Sequence, residues 1–353
     1  MKNPQETYIK NGASKIDYWD NEIQLDNDFL KQYPNIKSLE NGIMIHGDIN
    51  KRQVVYDIKK TNIYFCKKCD NNIEDTIYKT LESDFHNIQN EFSSLMNLVI
   101  KTYMYGETVI VQFPIICSCG EKDEAFLYMD FNHKIIEDSS ELLLIGTKNT
   151  INSNNLDRIC SKSECIEILE KFIFRWTFLY PKVLIATPFV GHQWMKEDEL
   201  LELWDWMLNT LDPKKTIFIT RRATFNKYKK IFENQNGFSL KFLEDYDLDN
   251  KVISNYTSKQ DFHAKIFAGI SKEKIEVLAG SFNLLKGKSV ENLTYNTYNE
   301  KVFQNNFISK LNIPIEVKSL ENTDCILIYK DSDNNYKSKQ IKKIEIDKQL
   351  LNI

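Results

Sequence analysis

From residue 163 onward, the apolar positions come in short runs separated by amphipathic stretches. ECIEILEKFIFRWTFLY has the three-and-four spacing of a helix. After it, PKVLIATPF, KTIFIT and FSLKFLE read as strands, and KEDELLELWDWMLNTL and FNKYKKIFENQ as the helices between them. HAKIFAGI and KIEVLAG are two further strands with only Ser271–Lys274 between them, which predicts a hairpin. YNEKVFQNNFISKLN closes the region as a helix. Strands alternating with helices predict an α/β layer in which helices flank a sheet.

The N-terminal half has another texture. Residues 1–50 are irregular, and KRQVVYDI and TNIYF are short strands leading into CKKCD. A long helical pattern starts at Ile73. ETVIVQFPII is a strand ending at CSCG, and EAFLYMDFN and ELLLIG are further strands. The polar stretch TKNTINSNNLD marks a boundary. The expected organisation is a mixed α+β domain over 1–157, an α/β domain over 163–310, and an extension over 311–353. In that extension CILIYK is strand-like without an assigned role.

Charge sharpens the division. The net charge is −4 overall, but −7 over residues 1–165 and +3 over 166–310. A net-acidic chain argues against strong non-specific nucleic-acid binding, so local patches matter more. One such patch lies between Pro213 and Phe232: Lys214, Lys215, Arg221, Arg222, Lys227, Lys229 and Lys230, with no acidic residue. Phosphate contacts from such a run give affinity without sequence preference, and a solvated helix face is the other reading. No apolar run approaches the roughly 18 residues of a membrane span, and the N-terminus lacks a secretory core. The expected compartment is the cytoplasm.

The seven cysteines are odd in number and clustered, which fits a reducing compartment and not a disulfide scaffold. Cys66-Lys-Lys-Cys69 and Cys117-Ser-Cys119-Gly120 are tight chelating pairs, each at the end of a strand-like run. Four thiolates suit a closed tetrahedral zinc site of the ribbon kind, structural rather than catalytic. A redox dithiol is the lesser alternative, because the second pair is Cys-x-Cys followed by Gly. Cys160, Cys165 and Cys325 read as ordinary core or near-surface thiols.

The candidate chemistry lies in DFHAKIFAGISKEKIEVLAGSFNLLKGKSVENLTYN. On a strand, His263 and Lys265 share one face, and Ser281 and Asn283 repeat that spacing after the next apolar run. With Glu291 this assembles an imidazole, an ammonium, a hydroxyl, an amide and a carboxylate. The set suits attack on a phosphodiester: imidazole forms a covalent phospho-intermediate, Lys and Asn neutralise phosphate oxygens, and a carboxylate fixes the imidazole tautomer.

HAK, GSFN and ENL resemble the phospholipase D superfamily, most of all its small single-motif nucleases. The family pattern is His-x-Lys-x4-Asp, then Gly-Ser-x-Asn, then a later Glu or Asp. The resemblance covers roughly residues 166–310. It implies a phospholipase D-like fold and a metal-independent phosphodiesterase, a nuclease, with a phosphohistidine at His263. Lys265 and Asn283 would hold the phosphate, Ser281 would support them, and Glu291 would orient the imidazole. Two motifs facing each other make such a site, and this chain has one, which implies a homodimer. Two departures stand out: Ile270 occupies the position of the family Asp, and the interval from His263 to Gly280 is about three residues longer than in compact members. A phospholipase or phosphatidyltransferase, or a non-catalytic nucleic-acid or protein-binding module, are the rival readings. A role in bacterial defence is a context for the nuclease reading, with no direct signal in the chain.

Overall fold

The structure, a computed structural model, describes residues 15–18, 21–24, 64–94, 108–129, 143–147, 151, 153–190, 211–212, 215–221, 224, 263–284, 287–311 and 315–353. In chain order the elements are β1 (Lys15–Tyr18), β2 (Asn21–Gln24), α1 (Glu74–Ser94), β3 (Thr108–Ile116), β4 (Lys122–Met129) and β5 (Leu143–Thr147). Then follow α2 (Ser153–Leu156), β6 (Arg158–Ser161), α3 (Lys162–Leu179), β7 (Lys182–Ala186), β8 (Thr216–Ile219), β9 (Ile266–Ile270), β10 (Ile275–Gly280) and β11 (Val290–Tyr298). The chain continues through α4 (Glu300–Phe303), a π turn (Gln304–Ile308), α5 (Ser309–Leu311), β12 (Asp324–Lys330), β13 (Tyr336–Lys342) and α6 (Lys343–Leu351). The architecture is mixed α/β with two large sheets. The expected helices KEDELLELWDWMLNTL and FNKYKKIFENQ and the strands KRQVVYDI and FSLKFLE lie outside the described residues.

The chain divides into two compact units. One carries a five-stranded sheet in the order β13-β12-β3-β4-β5, antiparallel except for the parallel pair β12–β3. Helix α1 packs on β3, β12 and β13, and Asp84 fixes it there by accepting from Lys330 Nζ at 2.8 Å and Tyr336 Oη at 2.9 Å. Residues Asn322–Ile346, set apart in the sequence as an extension, therefore belong to this unit. CILIYK is buried because it lies between two partner strands.

The second unit carries a six-stranded sheet in the order β6-β11-β10-β9-β7-β8. Both of its faces are covered, so β7 and β9 are apolar almost throughout rather than alternating. On one face Phe172 and Trp176 of α3 pack down, with Phe172 against Tyr295 of β11 at 5.1 Å. On the other, Phe303, Ile308 and Leu311 of the closing helix bury Ala186, Ala268, Ile270 and Val277.

Local chemistry explains the ends. Ser161 starts α3 through a capping box: its hydroxyl accepts from Glu164 N, and Glu164 Oε2 accepts from Ser161 N at 2.7 Å. The helix stops at extended Tyr180, which precedes Pro181 and is thereby kept out of helical backbone. The predicted hairpin β9–β10 forms, and its turn is closed by the Ser271 hydroxyl, which donates to Lys274 O and accepts from Lys274 N.

Candidate functional site

The strand β9 is preceded by His263, Ala264 and Lys265. His263 is exposed, whereas Lys265 is only 7% exposed. The Lys265 ammonium turns back onto the histidine, 3.0 Å from Nδ1 and 3.0 Å from the His263 carbonyl oxygen. The expected strand HAKIFAGI begins only at Ile266, so the two residues meet through this turn of the lysine and not as neighbours on one strand face. Burial, and then the positive charge of Arg221, pull the Lys265 ammonium below the ordinary lysine range, with Glu291 opposing them. The imidazole edge meets the Phe189 ring at a centroid distance of 5.8 Å, and Arg221 lies over that same ring at 4.3 Å. Phe189, which carries no motif signal, lies between the imidazole and the Arg221 guanidinium.

Gly280-Ser281-Phe282-Asn283 leaves the end of β10. A Cβ at Gly280 would stand 2.3 Å from the Asn292 carbonyl oxygen, so this close approach of β10 to β11 admits only glycine. Phe282 is buried and stacks on Phe267 of β9 at 5.2 Å, fixing the turn beside the histidine strand. Asn283 Oδ1 is buried and has no hydrogen-bond partner among the described residues. Ser281 donates to Glu291 Oε2, and Asn292 N donates to Ser281 Oγ at 3.2 Å.

Glu291 lies in β11, a strand the sequence did not predict. It was expected to orient the imidazole. Its carboxylate is instead taken by Ser281, by Ser289 at 2.8 Å and by Lys162 at 3.4 Å. Burial works against its charge, yet those hydroxyls and the Lys162 ammonium hold it below the usual carboxylate range. Lys162 carries no motif signal: it reaches Glu291 only because β6 pairs with β11.

Of the basic run, Lys215 and Arg221 are described. Lys215 Nζ donates to Thr177 O at 3.0 Å and pairs with Glu321 at 3.4 Å, so it serves the second unit internally. Arg221 alone of the two reaches the site. Lys214, Arg222, Lys227, Lys229 and Lys230 lie outside the described residues. Ile270 is fully buried in the apolar core at the far end of β9. An open groove of about 430 Å³ runs past Lys265, Gly280, Asn292, Phe307 and Lys310.

The cysteine pairs each sit on a tight turn. After the Phe65–Asn72 bridge, Cys66 N donates to Asn71 O and Asp70 N to Cys66 O, both at 2.9 Å, with Asp70 at a left-handed φ of 54°. Cys117 N donates to Glu121 O at 2.9 Å and Gly120 N to Cys117 O at 2.8 Å. Gly120, at φ 84°, supplies the left-handed residue this second turn needs. The sulfurs of Cys66, Cys69, Cys117 and Cys119 lie within 4.8 Å of one another. A tetrahedral ion with metal–sulfur bonds of about 2.3 Å separates its thiolates by somewhat less than 4 Å, so the four are placed to coordinate one metal ion.

No protein-family model matches this chain, and no curated protein matches it. Among the described residues, no helix is long and apolar enough to cross a membrane.

Proposed function

We propose that this chain is a metal-independent phosphodiesterase of the phospholipase D kind, a nuclease that acts as a homodimer. The observation that carries the reading is the buried Lys265 ammonium held 3.0 Å from His263 Nδ1, with Arg221 close by. An incoming phosphate competes for that ammonium. As Lys265 turns to a non-bridging oxygen, Nδ1 takes the ring proton and Nε2 presents its lone pair. Nε2 attacks phosphorus, the P–N bond forms and the ester P–O bond breaks. The leaving oxygen takes its proton from His263 of the partner subunit. Water, deprotonated by the partner subunit's His263, then cleaves the P–N bond and releases a phosphate monoester. Arg221 and the Asn283 Nδ2 amide would donate to the phosphate oxygens. Ser281 and Glu291 brace the turn that carries Asn283. Ile270 stands at the other end of β9, so the loss of the family Asp leaves the phosphate end intact.

The four cysteines would hold a zinc ion as a structural centre, supplying crosslinking and not a reaction step. Metal analysis of protein purified without chelator is expected to return one zinc per chain; none would sink that part.

The catalytic test incubates wild type and His263→Ala with labelled DNA, RNA and phospholipid in excess EDTA, with light scattering on both proteins. The expected result is a dimer that cleaves nucleic acid, with a loss of about 10³-fold or more in the variant. A requirement for added magnesium would overturn the mechanism, and cleavage of phospholipid alone would shift the substrate class. A folded dimer inert on all three substrates would mean a binding module.

A further inference from the structure

We infer that Cys160 and Cys165 form a thiol pair that closes to a disulfide when the protein meets a two-electron oxidant of the peroxide class. Cys160 lies in β6 and Cys165 in the first turn of α3, with their Sγ atoms 3.1 Å apart. A disulfide bond is about 2.05 Å long, so closure asks each sulfur to move by only about half an ångström. The connecting segment already carries its capping box, so the helix start need not unwind. The pair is separate from the four cysteines placed for a metal.

Access distinguishes the two thiols. β6 ends its sheet, its Ile159 is 74% exposed, and Cys160 retains 7% exposure, while Cys165 has none. Cys160 is therefore the sulfur a small peroxide reaches first. Its sulfur attacks the peroxide, an S–O bond forms, the O–O bond breaks, and water or an alcohol leaves. Cys165 then attacks that sulfenic sulfur: the S–S bond forms, the S–O bond breaks, and the hydroxide leaves as water with the Cys165 proton. Burial, with Cys160 and Glu291 nearby, pushes the Cys165 thiol up, so the closing step is slow compared with that of an exposed dithiol. Cys160 is the register partner of Glu291, and Lys162, between the cysteines, pairs with Glu291. Closure thus locks the strand–helix corner that holds Glu291.

The test treats the full, metal-loaded chain with excess hydrogen peroxide, alkylates remaining thiols under denaturing conditions, and maps tryptic peptides. Cleavage after Lys162 separates the two cysteines, so the expected product is a linked pair of peptides, unalkylated and released by dithiothreitol. Finding both cysteines alkylated would overturn the inference, as would Cys160 taken to sulfinic acid with Cys165 alkylated. In Cys165→Ser, checked for folding by circular dichroism, Cys160 is expected to stop at the sulfenic acid and be trapped by dimedone. Its appearance there in a disulfide with another cysteine would also overturn the inference. If that variant does not fold, the wild-type map decides alone.

Discussion

Two carboxylates of the six-stranded sheet face the same helix. Glu276 of β10 meets Arg175 near the end of α3, and Glu291 of β11 meets Lys162 at its first position. Glu276 is 1% exposed and takes both Arg175 Nη2 at 2.9 Å and Arg175 Nε at 3.0 Å, with Trp176 Nε1 at 3.0 Å and Leu350 O completing the guanidinium. Glu291 sits at the rim and is held by two serine hydroxyls and a single ammonium. Burial opposes the charge of both, and both are nevertheless held below the usual glutamate range. In the core that result demands a geometrically complete guanidinium pair; at the rim two hydroxyls and one ammonium suffice.

The strongest way to break this contrast is to remove one partner of the buried pair. Arg175→Met leaves Glu276 charged and unpaired in the core, and a loss of about 3–5 kcal/mol is expected from the urea midpoint. The double variant Arg175→Met with Glu276→Leu is expected to recover much of it, because the uncompensated charge is gone. A double variant as unstable as the single one would show that the pair matters for shape and not for charge.

Acid probes the same pair more gently. Because the folded Glu276 carboxylate lies below its ordinary value of 4.5, its contribution is fully present above that value. It is lost as pH falls through the depressed folded value. Stability measured from pH 6 downward should therefore decline below about pH 4.5, and Glu276→Gln should flatten that part of the slope. An unchanged slope in the variant would assign the acid sensitivity elsewhere.

How much of this was legible depended on how local each signal is. The helix from Ile73, described as far as Ser94, α3 and the β9–β10 hairpin carry their pattern within their own residues and formed, and the closing helix formed from Glu300 with a π turn at its centre. The four cysteines met as their two tight pairs foretold, whereas His263 and Lys265 lie ahead of β9 and meet through the lysine's turn back onto the histidine, which a period of two does not describe. Long-range pairing was not legible. CILIYK reads as a strand, but nothing in it names β3 as its parallel neighbour. RICS, four residues at a sheet edge, has no alternation to detect, and so Lys162, Glu291 and the Cys160–Cys165 pair stayed unconnected. The buried Arg175 looked like one more polar residue of an amphipathic helix, because its partner lies 101 residues away.

At the rim, effects on stability and on activity should separate. Glu291→Gln loses one weak ion pair and keeps an acceptor for Ser281, so a stability cost near 1 kcal/mol or less is expected. Under the proposed chemistry, loosening the Ser281–Asn283 turn displaces the phosphate contact, and kcat should fall about ten- to a hundredfold with a smaller change in KM. A variant with full activity would remove Glu291 from the positioning role.

Lys162→Met is the smallest step. The Lys162–Glu291 distance is 3.4 Å and both side chains are 12% exposed, a geometry between a buried pair and a surface one. Because the two serines remain on Glu291 and methionine keeps the apolar stem, a loss of only about 0.2–1 kcal/mol is expected. That loss should shrink further in 1 M salt, where exposed charges are screened within about 3 Å. Urea midpoints of wild type and variant at low and high salt check both statements. A cost approaching that of Arg175→Met, insensitive to salt, would mean that the rim pair is as desolvated as the core pair, and the contrast between the two ends of α3 would fail.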